Sequence, residues 1–160
     1  MAAAAREEPR SALLVLGCPE VPVQTGIALY LVSALRKKGV NPVIAGNQSA
    51  RVLVEVSDPD RHYLGEVIDL DRCIRELAEK NRDFDLCFVF IHNDAGITYG
   101  ATIQALSSGS VIAVVYGDHA VETAAQIEFP CEKIAVKAVH NPMPLKKKID
   151  EVLPWVVSNL

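Results

Sequence analysis

The chain has 160 residues, half of them apolar, and a formal net charge of -4. That length suits one domain able to bury roughly 70% of its unfolded surface. The acidic balance, with no Lys/Arg run longer than Lys146, Lys147 and Lys148, argues against nucleic acid as a partner. A mean hydropathy of +0.20 is high for a small chain, yet no apolar run approaches the roughly 20 residues of a spanning helix. No membrane insertion is therefore expected, and the apolar surplus is assigned to a buried sheet and to a homodimer interface.

The opening MAAAAREEPR has acidic residues and no apolar stretch of leader length, so residues 1–10 are read as a disordered tail rather than a secretory signal, and 11–160 as one domain. Residues 12–17 (ALLVLG) form a short continuous apolar run, the pattern of a parallel strand covered on both faces. Residues 24–38 carry Ile27, Leu29, Tyr30, Leu31, Ala34 and Leu35 at helical spacing, closed by basic residues before Gly39. A strand at 41–45 and a helix at 49–56, stopped by Asp58-Pro59, come next. The middle is less regular, with a short extended piece at 66–68 and a helix at 70–80. After it LCFVFI reads as a strand, NDAGITYGATIQAL as a helix, SVIAVVY as a strand, HAVETAAQIE as a helix, KIAVKAV as a strand and PLKKKIDEVLPWVVSN as a helix. Pro154 is expected to kink or shorten that last helix, and Trp155 to dock the C-terminus. Five principal strands each followed by a helix predict right-handed crossovers and a doubly wound, mostly parallel sheet in a three-layer α/β/α fold.

In such folds ligands bind outside the carboxyl ends of the strands. Cys18, in LGCPEVPVQTG, follows the first strand, and three of the four histidines, His92, His119 and His140, also follow strand-like runs. A thiol at a helix N-terminus sees the positive end of the dipole, which favours thiolate. The position six residues after Cys18, where a phosphatase-like loop needs arginine, is Gln24. GxGxxG and GxxxxGK[ST] are both absent, so no nucleotide cofactor is indicated and the cofactor is unknown. Gln24, Thr25 and Gly26 are candidates for holding a carboxylate or phosphate.

Asn93 or Asp94 reads first as a helix N-cap. Gly96 and Gly100, four apart, imply close approach to that helix, most simply by the sheet. Gly117-Asp118-His119 and His140-Asn141-Pro142 end the last two strands. Cys18 with His92, His119 and His140 would suit a borderline cation such as zinc, but the paired close spacings of metal sites are missing, and no metal is assigned. GxSxG is absent, which weakens a hydrolase reading, although Asp94 and Asp118 are a possible carboxylate pair. Cys18, Cys73, Cys87 and Cys131 lack CxxC spacing and read as reduced thiols of a cytoplasmic protein.

The segment LGCPEVPVQTGIALYLVSALRKKGVNPVIAGNQSARVLVEVSDP, followed downstream by HNPMPLKKKID, resembles an uncharacterised family of methanogenic archaea described as a domain of unknown function. The likeness runs from about Ala12 to the C-terminus. Its most specific parts are Gly17-Cys18-Pro19-Glu20 with Pro22 and Gln24, and His140-Asn141-Pro142 with Pro144. The resemblance implies an α/β/α fold and a cytoplasmic setting in a methanogen, and it carries no activity to any residue.

The expected function is binding of a small anion or coenzyme at the C-terminal edge of the sheet, by Cys18, Pro19, Gln24, Thr25, His92, Asn93, Asp94, Asp118, His119, His140 and Asn141. One alternative is a thiol-dependent enzyme or sulfur carrier using Cys18, with His92 or His119 as its base. Another is a non-catalytic subunit of a methanogen assembly.

Overall fold

The structure, a computed structural model, describes residues 10–158. Six strands alternate with six helices: β1 (Arg10–Val15), α1 (Val23–Lys37), β2 (Val40–Gly46), α2 (Gln48–Ser57), β3 (Glu66–Asp69), α3 (Leu70–Ala78), β4 (Leu86–Ile91), α4 (Asp94–Leu106), β5 (Ser110–Val115), α5 (Ala120–Ala125), β6 (Glu132–Ala135) and α6 (Met143–Ser158). Every pairing within the sheet is parallel, in the order β3-β2-β1-β4-β5-β6. The expected doubly wound α/β/α fold is present. The extended piece at 66–68 is a sixth strand, paired from Glu66 to Asp69 along the edge of β2. The expected tail falls outside the described residues except for Arg10, which opens β1.

The strands are nearly continuous apolar runs because both faces are covered. Alternate residues divide between two cores. Ala12, Leu14, Phe88, Phe90, Ile112 and Val114 pack with α1, α2 and α6, whereas Leu13, Val15, Cys87, Val89, Ala113 and Val115 pack with α3, α4 and α5. Asn47, Asp69 and Asn93 each N-cap a helix with a side-chain oxygen, accepting from Ala50, Arg72 and Gly96 respectively.

Three details depart from the pattern. Pro154 does not end the last helix, which runs on to Ser158. Pro154 itself is exposed, while Leu153, Val156 and Val157 bury on either side, so packing holds the final turn despite the missing N–H. Trp155 is 57% exposed, and docking of this helix falls to those aliphatic neighbours instead. Gly96 meets the sheet as expected, since a Cβ there would lie 3.0 Å from the Ile91 Cα, but a Cβ on Gly100 would lie 2.6 Å from the Phe129 ring, which comes from the connection after α5.

The run expected as a strand at 133–139 also divides. Strand β6 ends at Ala135, and the chain then crosses the end of the sheet. Ala138 bridges Gly117 in antiparallel fashion, its carbonyl accepting from the Gly117 N–H at 2.8 Å, and the Val139 carbonyl accepts from the Val23 N–H at 3.0 Å. This strap ties the end of β5 to the start of α1.

Candidate functional site at the switch point of the sheet

Strand order reverses between β1 and β4: the chain winds outward through β2 and β3 on one side and through β5 and β6 on the other. In folds of this class the loops leaving two such strands diverge, and their carboxyl ends are where a ligand crevice forms. The first is Leu16 to Pro22, with Cys18 and Glu20 exposed, and the second is His92-Asn93. Register explains who meets whom. Ile91 pairs with Val115, so the next residues, His92 and Tyr116, lie side by side facing α1, their ring centroids 5.6 Å apart.

A buried polar chain crosses this point. Gln24, on the inner face of α1, is 1% exposed, and its Nε2 donates to the Gly17 carbonyl at 2.9 Å. The Tyr116 hydroxyl donates to Gln24 Oε1. Burial pushes the Tyr116 hydroxyl well above its ordinary pKa, so it remains a protonated donor. His92 Nδ1 lies 3.4 Å from that hydroxyl oxygen. On the opposite side of the ring, Nε2 lies 3.5 Å from Glu20 Oε2 and 3.4 Å from Asn93 Nδ2. The His92 side chain is 6% exposed and that of Glu20 is 65% exposed, so the chain begins in the core and ends at the crevice mouth.

Two glycines flank the ring at ordinary contact distance. A Cβ on Gly17 would stand 3.4 Å from His92 Cε1, and one on Gly117 would stand 3.7 Å from His92 Cβ. Gly117 also has φ of +100°, a conformation that side-chain-bearing residues rarely adopt.

The expected site residues are placed unequally. Gln24, His92 and Asn93 are brought together, and Cys18 lies two residues from Glu20 in the facing loop. Both ends of the Gln24 amide are engaged internally. Pro19 and Thr25 are half-buried, while Asp94, Asp118, His119, His140 and Asn141 are exposed. His119 is the N-cap of α5 without a side-chain cap bond, and Asn141 Oδ1 accepts from the Met143 N–H at the start of α6. Among the described residues no group of three or more His, Cys, Asp or Glu is gathered so as to hold a metal ion, and Cys18, His92, His119 and His140 form no such set. Two N–H donors of the α1 N-terminus are also taken: Val23 by the Val139 carbonyl and Gln24 by the Val21 carbonyl, at 3.2 Å.

The sequence alone does not mark Tyr116, Glu20, Gly17 or Gly117 as site residues. Tyr116 reads in sequence as the last apolar residue of its strand, and its only signal is a polar tip at a strand end on the same face as His92.

A family model described as Domain of unknown function (DUF1890) matches residues 13–152. The chain belongs to that family. Uncharacterized protein MJ0452 of Methanocaldococcus jannaschii is 36% identical over 149 residues, covering 89% of this chain and 97% of that one. The solved structure of MT0777 matches with a TM-score of 0.84 at 36% identity, covering 90% of this chain and 97% of that one. The DUF1890 match includes both loops of the crevice, with Cys18, Glu20, Gln24, His92 and Tyr116. Among the described residues of this DUF1890 chain no helix is long and apolar enough to cross a membrane.

Proposed function

We propose that this chain is a cytoplasmic small-molecule-binding protein whose site is the crevice between the turn after β1 and the turn after β4. The observation that supports this reading is the polar chain from the Gly17 carbonyl through Gln24 and Tyr116 to His92. Buried polar groups add nothing to an apolar sheet that aliphatic side chains would not supply at less desolvation cost. Here every member serves to orient one imidazole whose outer nitrogen faces the crevice. An anion or coenzyme phosphate, the ligand expected from the loop's residue types, would have to be held by groups other than the Val23 and Gln24 amides, which are already bonded.

The test is retention of a compound from a methanogen small-molecule extract, followed by ultrafiltration and mass spectrometry of wild type, His92→Ala and Cys18→Ser. Wild type is expected to retain a compound that His92→Ala loses. Retention of nothing, or equal retention by His92→Ala, overturns the proposal.

One observation favours a second reading, a thiol-dependent enzyme or sulfur carrier. Of the four free cysteines only Cys18 is exposed, and it sits in the loop that carries Glu20 to His92. In that case the retained species is covalent and disappears in Cys18→Ser. We further propose that the molecule pairs with a second copy of itself, a reading supported by the apolar side chains Val52, Leu53 and Val56 exposed on α2.

A further inference from the structure

The hydrogen-bond directions around His92 are determined by its neighbours. The Gly17 carbonyl is an acceptor only, so the Gln24 group facing it is the amide nitrogen and Gln24 Oε1 must accept. Tyr116 has one proton and gives it to that oxygen. Toward His92 the Tyr116 oxygen is left as an acceptor, so in the neutral ring the proton belongs on Nδ1. A second, independent chain agrees. Asn93 Oδ1 accepts from the Gly96 N–H at 3.1 Å as the cap of α4, which turns Asn93 Nδ2 toward His92 Nε2. A donor facing Nε2 requires a lone pair there. Both contacts, each at 3.4 Å, favour the same tautomer.

The outer nitrogen of this nine-tenths-buried ring is thus an acceptor, and its existing contact with Asn93 Nδ2, at 3.4 Å, is long for a hydrogen bond. Beside it, at 3.5 Å, stands another acceptor, the Glu20 carboxylate. The one donor facing this pair of acceptors is Asn93 Nδ2, at 3.4 Å from Nε2, and a group with several protons and a positive charge would satisfy both. Glu20 is not fixed against His92, because its own side chain is two-thirds exposed and a solvated carboxylate at this distance is weakly held. It is free to close on such a group. The same sheet edge also carries exposed Asp94 and Asp118, with Lys137 on the strap and Arg51 paired to Asp69 at the ends of β2 and β3.

Building on the crevice reading above, we infer that the ligand presents a primary amine, held as ammonium between His92 Nε2 and the Glu20 carboxylate. Gln24 and Tyr116 act as positioning residues that keep Nε2 an acceptor.

The test is nitrogen-15 NMR of the His92 ring, at a pH where its own titration shows it neutral, with ethanolamine as the probe and ethylene glycol, acetate and inorganic phosphate as comparisons. Wild type is expected to carry the proton on Nδ1, and Tyr116→Phe to transfer population to the other tautomer. Ethanolamine is expected to move the His92 ring and the Glu20 carboxyl signals, and Glu20→Gln to weaken that response roughly threefold, as for a solvent-exposed charge contact. A wild-type proton on Nε2 overturns the inference. So does a ring that responds to glycol, acetate or phosphate as strongly as to ethanolamine, or to none of the probes. If the extract compound is retained in a His92-dependent way but carries no amine, the crevice reading stands and this inference alone falls. Because Tyr116→Phe changes a buried side chain, Glu20→Gln, on the surface, provides the comparison that does not depend on folding of the variant.

Discussion

At the scale of single residues, the cysteines are separated by their surroundings. Burial pushes the Cys73 thiol up to about 11 and the Cys87 thiol up to about 12, and it raises Cys131 as well, while Cys18 lies in the open loop. A thiol reagent applied to the native protein is expected to modify Cys18 rapidly and to reach Cys73 and Cys87 only on unfolding, read by mass spectrometry of the adducts. Rapid native labelling of Cys87 would contradict the packing described. The same two buried thiols give stability a pH dependence. Their folded pKa values are raised above the unfolded one, so their contribution is complete below about pH 9, the ordinary thiol value, and declines as pH rises toward 11. Each thiol lowers stability by about 1.4 kcal/mol per pH unit within that window. Urea titrations at successive pH values should show stability falling from about pH 9 upward, and less steeply in Cys87→Ala. The residues of the crevice were legible only in part. Cys18, Gln24, His92 and Asn93 stand at strand ends that the hydrophobic runs reveal, whereas Tyr116 gains its meaning from the register between β4 and β5, which a single sequence does not encode locally.

At the scale of elements, Asn93 serves both a helix and the site, and the two roles are separable. Asn93→Ala removes the cap of α4 and is expected to cost about 1 kcal/mol, whereas Asn93→Asp keeps an accepting oxygen for the Gly96 N–H and should retain most of that stability. Only the amide supplies a donor to His92 Nε2, so both variants should change the tautomer balance of the ring in the NMR measurement while chemical denaturation distinguishes them. If Asn93→Asp leaves the ring unchanged, Asn93 is a cap and nothing more. Alternation of strand-like and helical periods made the β/α order readable, including the boundaries of α1, β4 and β5 to within one residue. Other elements were hidden for physical reasons. Strand β3 is short and pairs on one side only, so it needs few apolar residues and shows a weak signal. The strap after β6 has the apolar composition of a strand, but it pairs through Gly117 and Val23 across the sheet end, a tertiary arrangement that periodicity does not register. Helix α6 passes Pro154 because its flanking residues are buried, a fact about the core and not about the proline.

At the scale of the whole molecule, the two cores account for most of the apolar residues, but α2 keeps an outward apolar face. Val52 is 50% exposed, Leu53 40% and Val56 69%, with Tyr63, 47% exposed, in the connection that follows. Val52 and Val56 lie one turn apart on the same side of the helix, so they form a stripe and not scattered points. In the proposed dimer a second copy of the chain would bring the same stripe to meet it, which is how a two-fold interface is composed. Burying the remaining exposed half of each valine contributes about 1 kcal/mol, and a symmetric pair contains four such side chains, or about 4 kcal/mol in all. Replacing Val52 and Val56 together by Lys should therefore weaken the dimer about a thousandfold, leaving a monomer whose stability differs little, because surface changes away from the core seldom exceed about 0.5 kcal/mol. Sedimentation equilibrium over a range of concentrations checks both parts. A wild-type chain that stays monomeric throughout rejects self-pairing and leaves the stripe to a different protein, as expected of a subunit in a larger assembly. A dimer that persists in the doubly substituted chain places the interface elsewhere on the surface.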